Sequence, residues 1–411
     1  MPFNFVKKLK NILEVDIGVV VTEDLDPRKI NAFHQCYRSE MGIPWVLPIV
    51  KEIEVLMTNE MLVCQEELPG FGLNSFRTAV TELVLGKDND RVANGHVLTV
   101  QSLSTVGALR MISEIAWKQL KLRQIYVPDS TWAGDHPTFL AAGFPKPKTY
   151  RYYDHDKHEL DIEGMIQDLQ EISSDAVVVF YSCCHNPTGC DPTPKQWKRI
   201  VEAIGATTLF PLIDLSYQGL ASGDPDIDAF PIRLFARLGI EMAVCITFGH
   251  NFLLYNDRIG AAMFFVRRPD DIPPLKSHLA ALIDSMYGIP PYHGAKIVAT
   301  ILNTPKYYEQ WIGYLNKIRN QTQEARNNFV AALKRFDVPG NWNYISKGTG
   351  MNAFINLTDR QIQHLILYHH VYIRTNASLN VGALSDDKIE YVAEAIADCI
   401  KEYPAVEESD K

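Results

Sequence analysis

Between residues 97 and 266, short runs of apolar residues alternate with stretches in which apolar residues recur at helical spacing. The apolar runs predict buried strands at residues 97–101, 124–127, 176–181, 208–213, 242–248 and 261–266. The stretches 107–120 and 194–204 predict two of the helices between them. Strands that alternate with helices favour an α/β fold built on a mostly parallel sheet. Ligands bind such sheets beyond the carboxyl ends of the strands, so the residues that follow each strand are the first candidates for function.

The pattern changes after residue 305. A helix predicted over residues 306–336 is followed by short strand-like runs at 352–355 and 371–373. The last helix is predicted to begin at Ser385, a favourable N-cap residue, with Asp386 and Asp387 in its first turn. These features predict a second, smaller domain.

Composition narrows the classes of function. The net charge of −9 over 411 residues argues against nucleic-acid binding, which needs a concentrated basic face, but leaves room for a local site that binds a small anionic ligand. The seven cysteines are scattered, and no run approaches the ~18 apolar residues of a membrane span. The first ten residues, MPFNFVKKLK, contain no arginine and predict a short amphipathic arm rather than a transit peptide. We therefore expect a cytoplasmic protein without membrane association.

Two segments that follow predicted strands carry small or amide side chains. Residues 101–110 lead from a strand into a helix through Ser104 and Thr105. A helix N-terminus suits a phosphate, although small residues at such a joint are more often present for packing. Asn186 lies in a turn marked by Asn-Pro and Thr-Gly, and turn chemistry alone favours a structural role.

Two further segments carry ionisable groups in the residues that directly follow predicted strands. Asp214 follows an apolar run, with Tyr217 three residues later. A carboxylate at that position needs a cationic partner, which a structural ion pair would provide as well as a ligand would. Thr247, His250 and Arg258 follow the next strand, and His250 alone is more often a hydrogen-bonded loop histidine than a catalytic group.

Together, and in this order, the sequences HNPTG at 185–189, YQG at 217–219 and YNDR at 255–258 resemble the aspartate aminotransferase family of fold-type I pyridoxal phosphate enzymes. The resemblance implies a homodimer whose large cofactor-binding domain, residues 45–317, contains a mostly parallel seven-stranded sheet. It also implies a smaller α+β domain at residues 318–411, to which the N-terminal arm and the rest of residues 1–44 contribute.

The resemblance also implies a role for each matched position in holding pyridoxal 5′-phosphate or pyridoxamine 5′-phosphate. Trp132 would stack on the pyridine ring, and Asp214 would keep the ring nitrogen protonated. Asn186 and Tyr217 would bind the 3′ oxygen of the ring. The phosphate would be bound by Ser104, Thr247 and Arg258.

One departure from the family decides the chemistry. The family's lysine, which binds the cofactor covalently and moves protons, lies eight residues before the phosphate-binding arginine. Eight residues before Arg258 the chain has His250. Imidazole has no primary amine and cannot form that covalent bond, although it can still move protons near neutral pH. Any cofactor is therefore expected to bind non-covalently.

Substrate recognition is altered as well. The family's arginine for the substrate α-carboxylate falls on Ser378, and its arginine for the side-chain carboxylate falls on Asp284. The phosphate loop also carries Thr105 and Val106 in place of a glycine and a hydroxyl residue, and Glu67 takes the place of a tyrosine that crosses the dimer.

These departures leave three hypotheses for function. The first is an aspartate aminotransferase homologue with impaired or no activity, which serves as a scaffold or regulator, either as a homodimer or in a heterodimer with an active paralogue. The second is a repurposed enzyme that uses non-covalently bound cofactor with His250 as base. The third is residual amino transfer between aspartate and 2-oxoglutarate.

Overall fold

The structure, a computed structural model, describes residues 13–39, 42–59, 66–132, 137–173, 175–205 and 207–404. The arm predicted at residues 1–10 lies outside the described residues. The helices are α1 Leu13–Glu23, α2 Pro48–Asn59, α3 Asn74–Leu85, α4 Asp90–Ala93, α5 Ser104–Lys118, α6 Pro137–Ala142, α7 Ile162–Glu171, α8 Pro194–Gly205, α9 Pro225–Asp228, α10 Phe230–Arg237, α11 Ile272–Met286, α12 His293–Asn303, α13 Pro305–Arg335, α14 Asn343–Lys347, α15 Asp359–His369 and α16 Asp386–Glu402. The strands are β1 Ile30–Asn31, β2 Val97–Leu103, β3 Gln124–Pro128, β4 Lys148–Tyr150, β5 Tyr153–Asp154, β6 Glu159–Leu160, β7 Ala176–Tyr181, β8 Phe210–Asp214, β9 Met242–Thr247, β10 Ile259–Phe265, β11 Asn352–Phe354, β12 Val371–Tyr372 and β13 Ser378–Asn380.

The chain divides into two compact units. The large unit consists of residues 44–323 and 347–350. The small unit consists of residues 1–43, 324–346 and 351–411.

A seven-stranded sheet forms the centre of the large unit, in the order β2-β10-β9-β8-β7-β3-β4. Its strands are parallel except for β10, which is antiparallel to both of its neighbours. Every residue of β7, β9 and β10 is buried, as expected for central strands with both faces covered. The predicted α/β fold with a mostly parallel seven-stranded sheet is confirmed.

Element boundaries differ from the prediction at two functional positions. Strand β8 runs to Asp214, so this carboxylate belongs to the strand end rather than to the loop after it. Helix α5 begins at Ser104, immediately after β2, and not at residue 107. The edge strand β4 was not predicted, because Lys148 and Thr149 are exposed and only Tyr150 is buried.

Helix α5 fixes the position of Ser104 because most of the helix is buried. Leu109, Ile112 and other apolar residues of α5 join a hydrophobic core with residues of β2, β3, β7 and β10. Buried Glu114 forms ion pairs with Arg110 and Lys118, four residues away on either side. Both cations are more exposed than the carboxylate that they neutralise.

The small unit contains two short two-stranded sheets. Strand β1 pairs with β12 in parallel, and β11 pairs with β13 in antiparallel orientation. Helix α16 has Ser385 as its N-cap residue, as predicted, but the side chain makes no cap hydrogen bond. The Ser385 hydroxyl donates instead to Asp387 Oδ1 at 2.5 Å, because a carboxylate is a strong acceptor within its reach. Among the described residues, no helix has the length and apolar character needed to cross a bilayer.

Candidate active site

The sheet brings four of the predicted site residues of the large unit to one edge. Asp214 ends β8 and Thr247 ends β9, and these two strands are parallel neighbours. Ser104 follows the end of β2. Arg258 immediately precedes β10, which runs antiparallel to β2 and β9, so that the start of β10 lies beside their ends. These four side chains therefore come from the same edge of the sheet, the carboxyl edge at which ligands bind α/β folds.

Asp214 is a buried carboxylate that depends on Ser216. The Ser216 hydroxyl donates to Asp214 Oδ1 at 2.5 Å, and the Ser216 backbone N–H donates to the same oxygen at 2.8 Å. Burial raises the pKa of Asp214 to about 6, against the effect of these two hydrogen bonds. Within the described part of the chain both bonds go to one oxygen, which leaves Oδ2 available to a further donor. The site thus presents a buried anionic group that a protonated ring nitrogen would satisfy.

The hydroxyl of Thr105 extends the hydrogen-bonded pair of Asp214 and Ser216. Thr105 Oγ1 lies 2.8 Å from Ser216 Oγ, and both residues are buried. From the sequence, Thr105 was only a departure from the family pattern, and Ser216 was not predicted as a site residue. The position of Ser216, two residues after Asp214, was the available signal, since serine commonly hydrogen-bonds to the backbone or side chains nearby.

Ser104 and Thr247 form a hydroxyl pair where β2 and β9 end. Ser104 Oγ lies 2.9 Å from Thr247 Oγ1, and both side chains are buried. Ser104 has φ = 61°, an uncommon conformation for a residue with a side chain. A Cβ on Gly260 would lie 2.8 Å from Ser104 Cα and 2.4 Å from the carbonyl oxygen of Ile246, so glycine is required for this close approach.

Arg258 is exposed beside this hydroxyl pair. It also has a positive φ of 49°. With Val106 and Arg110 it lines an open groove of about 780 Å³ in the large unit. The guanidinium is therefore accessible to a ligand from solvent.

His250 lies against Tyr217. The two rings are stacked, with centroids 4.3 Å apart and planes inclined by 18°. Tyr255 contacts the His250 ring edge-on, with a centroid distance of 5.5 Å. Tyr217 is buried and His250 is half-buried. The two residues that sequence reasoning assigned to the covalent position and to the 3′ oxygen are thus direct neighbours.

Asn186 is buried in the loop after β7 and precedes Pro187 through a cis peptide bond. Asp191 holds the start of this loop, since its carboxylate accepts hydrogen bonds from the backbone N–H groups of Cys184 and His185, both at 2.8 Å. Burial raises the pKa of Asp191 to about 6. Trp132, after β3, is half-buried and packs against the hydrophobic core beside α5.

The two predicted substrate positions lie apart from these residues in the chain. Ser378 is fully buried in β13 of the small unit, where its hydroxyl donates to Asn376 Oδ1 at 2.6 Å. Asp284 is exposed on α11 of the large unit. Neither position offers a cation to a substrate carboxylate.

Comparison with known proteins identifies the family. The family model for class I and II aminotransferases matches residues 49–396. This chain belongs to the aspartate aminotransferase family. It is 37% identical over 379 residues to the cytoplasmic aspartate aminotransferase of Caenorhabditis elegans, a match that covers 92% of this chain and 93% of the relative.

Solved structures agree with this assignment. The cytoplasmic aspartate aminotransferase of Saccharomyces cerevisiae superposes with a TM-score of 0.93 at 32% identity, over 98% of this chain and 99% of that structure. An aromatic-amino-acid aminotransferase from Burkholderia pseudomallei, covalently bound to pyridoxal phosphate, superposes with a TM-score of 0.91 at 29% identity, over 97% and 99% of the two chains. Pyridoxal phosphate is therefore the cofactor that the family uses.

Proposed function

We propose that this aspartate aminotransferase homologue no longer sustains amino transfer between L-aspartate and 2-oxoglutarate, and binds its cofactor non-covalently. The observation that carries the proposal is the identity and position of residue 250. His250 lies against Tyr217, among the residues assigned to the cofactor, and an imidazole lacks the primary amine that covalent attachment requires.

The residues present fit a pyridoxal or pyridoxamine phosphate. When bound, the protonated pyridine ring supplies an electron sink for reactions at an amino acid. The buried carboxylate of Asp214, with Oδ2 available, suits the ring nitrogen, and the Ser216 hydrogen bonds favour its charged form. Asn186 and Tyr217 would bind the 3′ oxygen, and Trp132 would stack on the ring.

The phosphate would be held at the start of α5. Ser104 and Thr247 present two adjoining hydroxyl groups there, next to the N-terminus of a buried helix of 15 residues. Arg258 would add a charge-assisted hydrogen bond. These contacts can retain a cofactor without a covalent link.

Loss of substrate contacts supports the loss of turnover. Where the family has two arginines, this chain has Ser378 and Asp284. Each hydrogen bond to a charged group contributes about 1.5–3 kcal/mol, so loss of both weakens dicarboxylate binding by roughly two to four powers of ten. A carboxylate at residue 284 would in addition repel the anionic substrate.

The proposal includes an oligomeric state and a cellular location. We infer a homodimer in the cytoplasm, because relatives with 37% and 33% identity are cytoplasmic aspartate aminotransferases. Since the family builds its sites from two subunits, a heterodimer with an active paralogue would give this chain a regulatory or scaffold role. Co-expression followed by mass measurement tests this idea, and finding only homodimers or monomers would count against it.

One observation favours a second candidate function. The His250 ring is half-buried between Tyr217 and Tyr255, so its ring nitrogens could accept or release a proton beside a ligand bound at the site. The chain would then be a repurposed enzyme with His250 as base. An activity that His250→Gln abolishes, while cofactor retention is unchanged, would favour this candidate.

The proposal is tested by two measurements on the same purified full-length protein. Gel filtration after incubation with pyridoxamine 5′-phosphate measures retention of the cofactor. A coupled assay measures oxaloacetate formed from aspartate and 2-oxoglutarate, with an active aspartate aminotransferase as positive control. We expect retention with no turnover above the protein-free rate. Turnover comparable to the control would overturn the proposal.

A further inference from the structure

A second cluster of chemically reactive side chains lies in the small unit, on helices α15 and α16. One ring nitrogen each from His364 and His369, together with Sγ of Cys399, lie within 4.8 Å of one another. His364 lies at the middle of α15 and His369 at its end, and Cys399 comes from the last turns of α16. All three belong to the small unit, so the cluster is separate from the residues assigned to the cofactor.

The burial of these side chains is unusual for polar groups. Cys399 is completely buried, and the side chains of His364 and His369 are only 11% and 19% exposed. Nδ1 of His364 is buried and has no hydrogen-bond partner among the described residues. A buried imidazole nitrogen without a partner costs free energy unless something else satisfies it.

Asp398 orients both rings. Its Oδ2 lies 2.9 Å from Nε2 of His369 and 3.3 Å from Nε2 of His364. A carboxylate that accepts from one imidazole nitrogen fixes the tautomer and leaves the other nitrogen as a lone-pair donor. For His364, that other nitrogen is the buried Nδ1. The same carboxylate–imidazole arrangement supports histidine ligands in zinc sites.

We propose that His364, His369 and Cys399 form a binding site for a zinc ion, with Asp398 as the supporting carboxylate. Two imidazoles and a thiolate are donors that select zinc over magnesium or calcium, which prefer oxygen. One thiolate leaves a divalent ion with a net positive charge, and the carboxylate of Asp398 offsets it. The fourth position is open to water.

Geometry permits this site with small side-chain adjustments. Zinc binds imidazole nitrogen at about 2.0–2.1 Å and sulfur at about 2.3 Å, so the two nitrogens and one sulfur of a tetrahedral site lie roughly 3.3–3.6 Å apart. The present upper separation of 4.8 Å requires movements of about 1 Å, which side-chain rotation can provide. His369 and Asp398 also line an open groove of about 830 Å³ in the small unit, which gives an ion a route from solvent.

The experiment uses tag-free, full-length protein that has been depleted of metal with a chelator. Titration with Co²⁺ reports a thiolate ligand through a charge-transfer absorption band, and competition with a chromophoric chelator measures Zn²⁺ affinity. We expect one equivalent of each metal to bind and the band to appear. Absence of the band, or stoichiometric binding without it, would overturn the proposal.

Variants assign the ligands. Cys399→Ser should abolish the cobalt band, and His369→Gln should weaken Zn²⁺ binding at least tenfold. Asp398→Asn keeps every ligand but should weaken binding by about 10- to 100-fold, as expected for loss of a supporting carboxylate. If Cys399→Ser fails to fold by circular dichroism, the zinc affinities of His369→Gln and Asp398→Asn decide the question.

Matched controls use residues of the same type elsewhere. Cys36→Ser removes a half-buried thiol of the small unit, and His278→Gln removes an exposed histidine of α11. Both should bind zinc as the wild type does. A cobalt band that persists in Cys399→Ser but disappears in Cys36→Ser would assign the metal to another thiol and contradict the proposal.

Discussion

The hydroxyl of Ser216 donates a hydrogen bond to the buried carboxylate of Asp214, with 2.5 Å between Ser216 Oγ and Asp214 Oδ1. The backbone N–H of Ser216 donates to the same oxygen. If Asp214 faces the cofactor ring as proposed, this pair determines how much negative charge the ring nitrogen meets. Because Asp214 is buried, its protonation should also change the free energy of unfolding with pH.

Replacing Ser216 by alanine should destabilise the protein more at high pH than at low pH. The hydroxyl stabilises an ionised carboxylate, so its removal should cost about 1.5–3 kcal/mol of unfolding free energy near pH 8, and less near pH 5, where Asp214 is protonated. Denaturant unfolding at the two pH values measures this cost.

A matched control is Ser182→Ala. Ser182 is equally buried, but its hydroxyl donates to the backbone oxygen of Asp228, at 2.6 Å. That acceptor does not titrate, so the variant should lose about 0.5–1.5 kcal/mol at both pH values. Equal costs at the two pH values for Ser216→Ala would show that Asp214 is not the charged partner.

Ionisation of the buried Asp214 carboxyl should lower the stability of the cofactor-free protein as pH rises. Its pKa is about 6 in the folded chain and 3.8 ordinarily, so between these values the folded state binds more protons than the unfolded state. Stability therefore falls as pH rises through this window, by roughly 3 kcal/mol for a shift of about two units. Asp214→Asn removes the titrating group, so its stability relative to wild type should increase from about pH 4 to pH 7. A difference that stays constant across this range would contradict the raised pKa.

Arg258 should contribute to phosphate binding specifically. Arg258→Gln removes a charge-assisted hydrogen bond worth about 1.5–3 kcal/mol, or roughly 10- to 150-fold in Kd for pyridoxamine 5′-phosphate. The Kd for pyridoxamine, which lacks the phosphate, should change little. Isothermal titration calorimetry with both ligands measures the difference, and Arg267→Gln, which changes an exposed arginine at the far end of β10, is the control. Equal losses for both ligands would place Arg258 away from the phosphate.

Restoring the amine should recover attachment but not turnover. His250→Lys places a lysine against Tyr217, so pyridoxal 5′-phosphate should become attached in a form that borohydride fixes irreversibly. Aspartate turnover should remain near background because Ser378 and Asp284 still stand at the two positions assigned to the substrate-binding arginines. Peptide mass mapping and the coupled assay measure the two outcomes. Substantial turnover would show that the assignment of the substrate positions is mistaken.

The central strands could be predicted from the sequence for identifiable reasons, whereas the roles assigned to the site residues stay predictions. Strands such as β7 and β9 are apolar on both faces, which leaves few alternatives for their burial. Strand β4 escaped prediction because a short edge strand with exposed Lys148 has no apolar run. The antiparallel direction of β10 was also not predicted, because a fully buried strand has the same pattern in either direction.

Contacts between residues that are far apart in the chain could not be predicted from the sequence. Thr105 and Ser216 are 111 residues apart, and their hydrogen bond depends on how β2 and β8 end in the sheet. The cluster of His364, His369 and Cys399 arises from the packing of α15 on α16, and its spacing matches no metal-binding motif. The sequence identified His250 as a departure from the family, but its stacking on Tyr217 could be seen only in the structure.

The central claim is that the chain has no amine at the position where the family binds its cofactor covalently. The direct measurement is to incubate wild-type protein with pyridoxal 5′-phosphate, reduce it with borohydride and map modified peptides by mass spectrometry. We predict that no lysine near the Asp214 pocket is modified, at cofactor concentrations that saturate non-covalent binding. A stoichiometric adduct on one lysine, lost when Asp214 or Arg258 is replaced, would contradict the account.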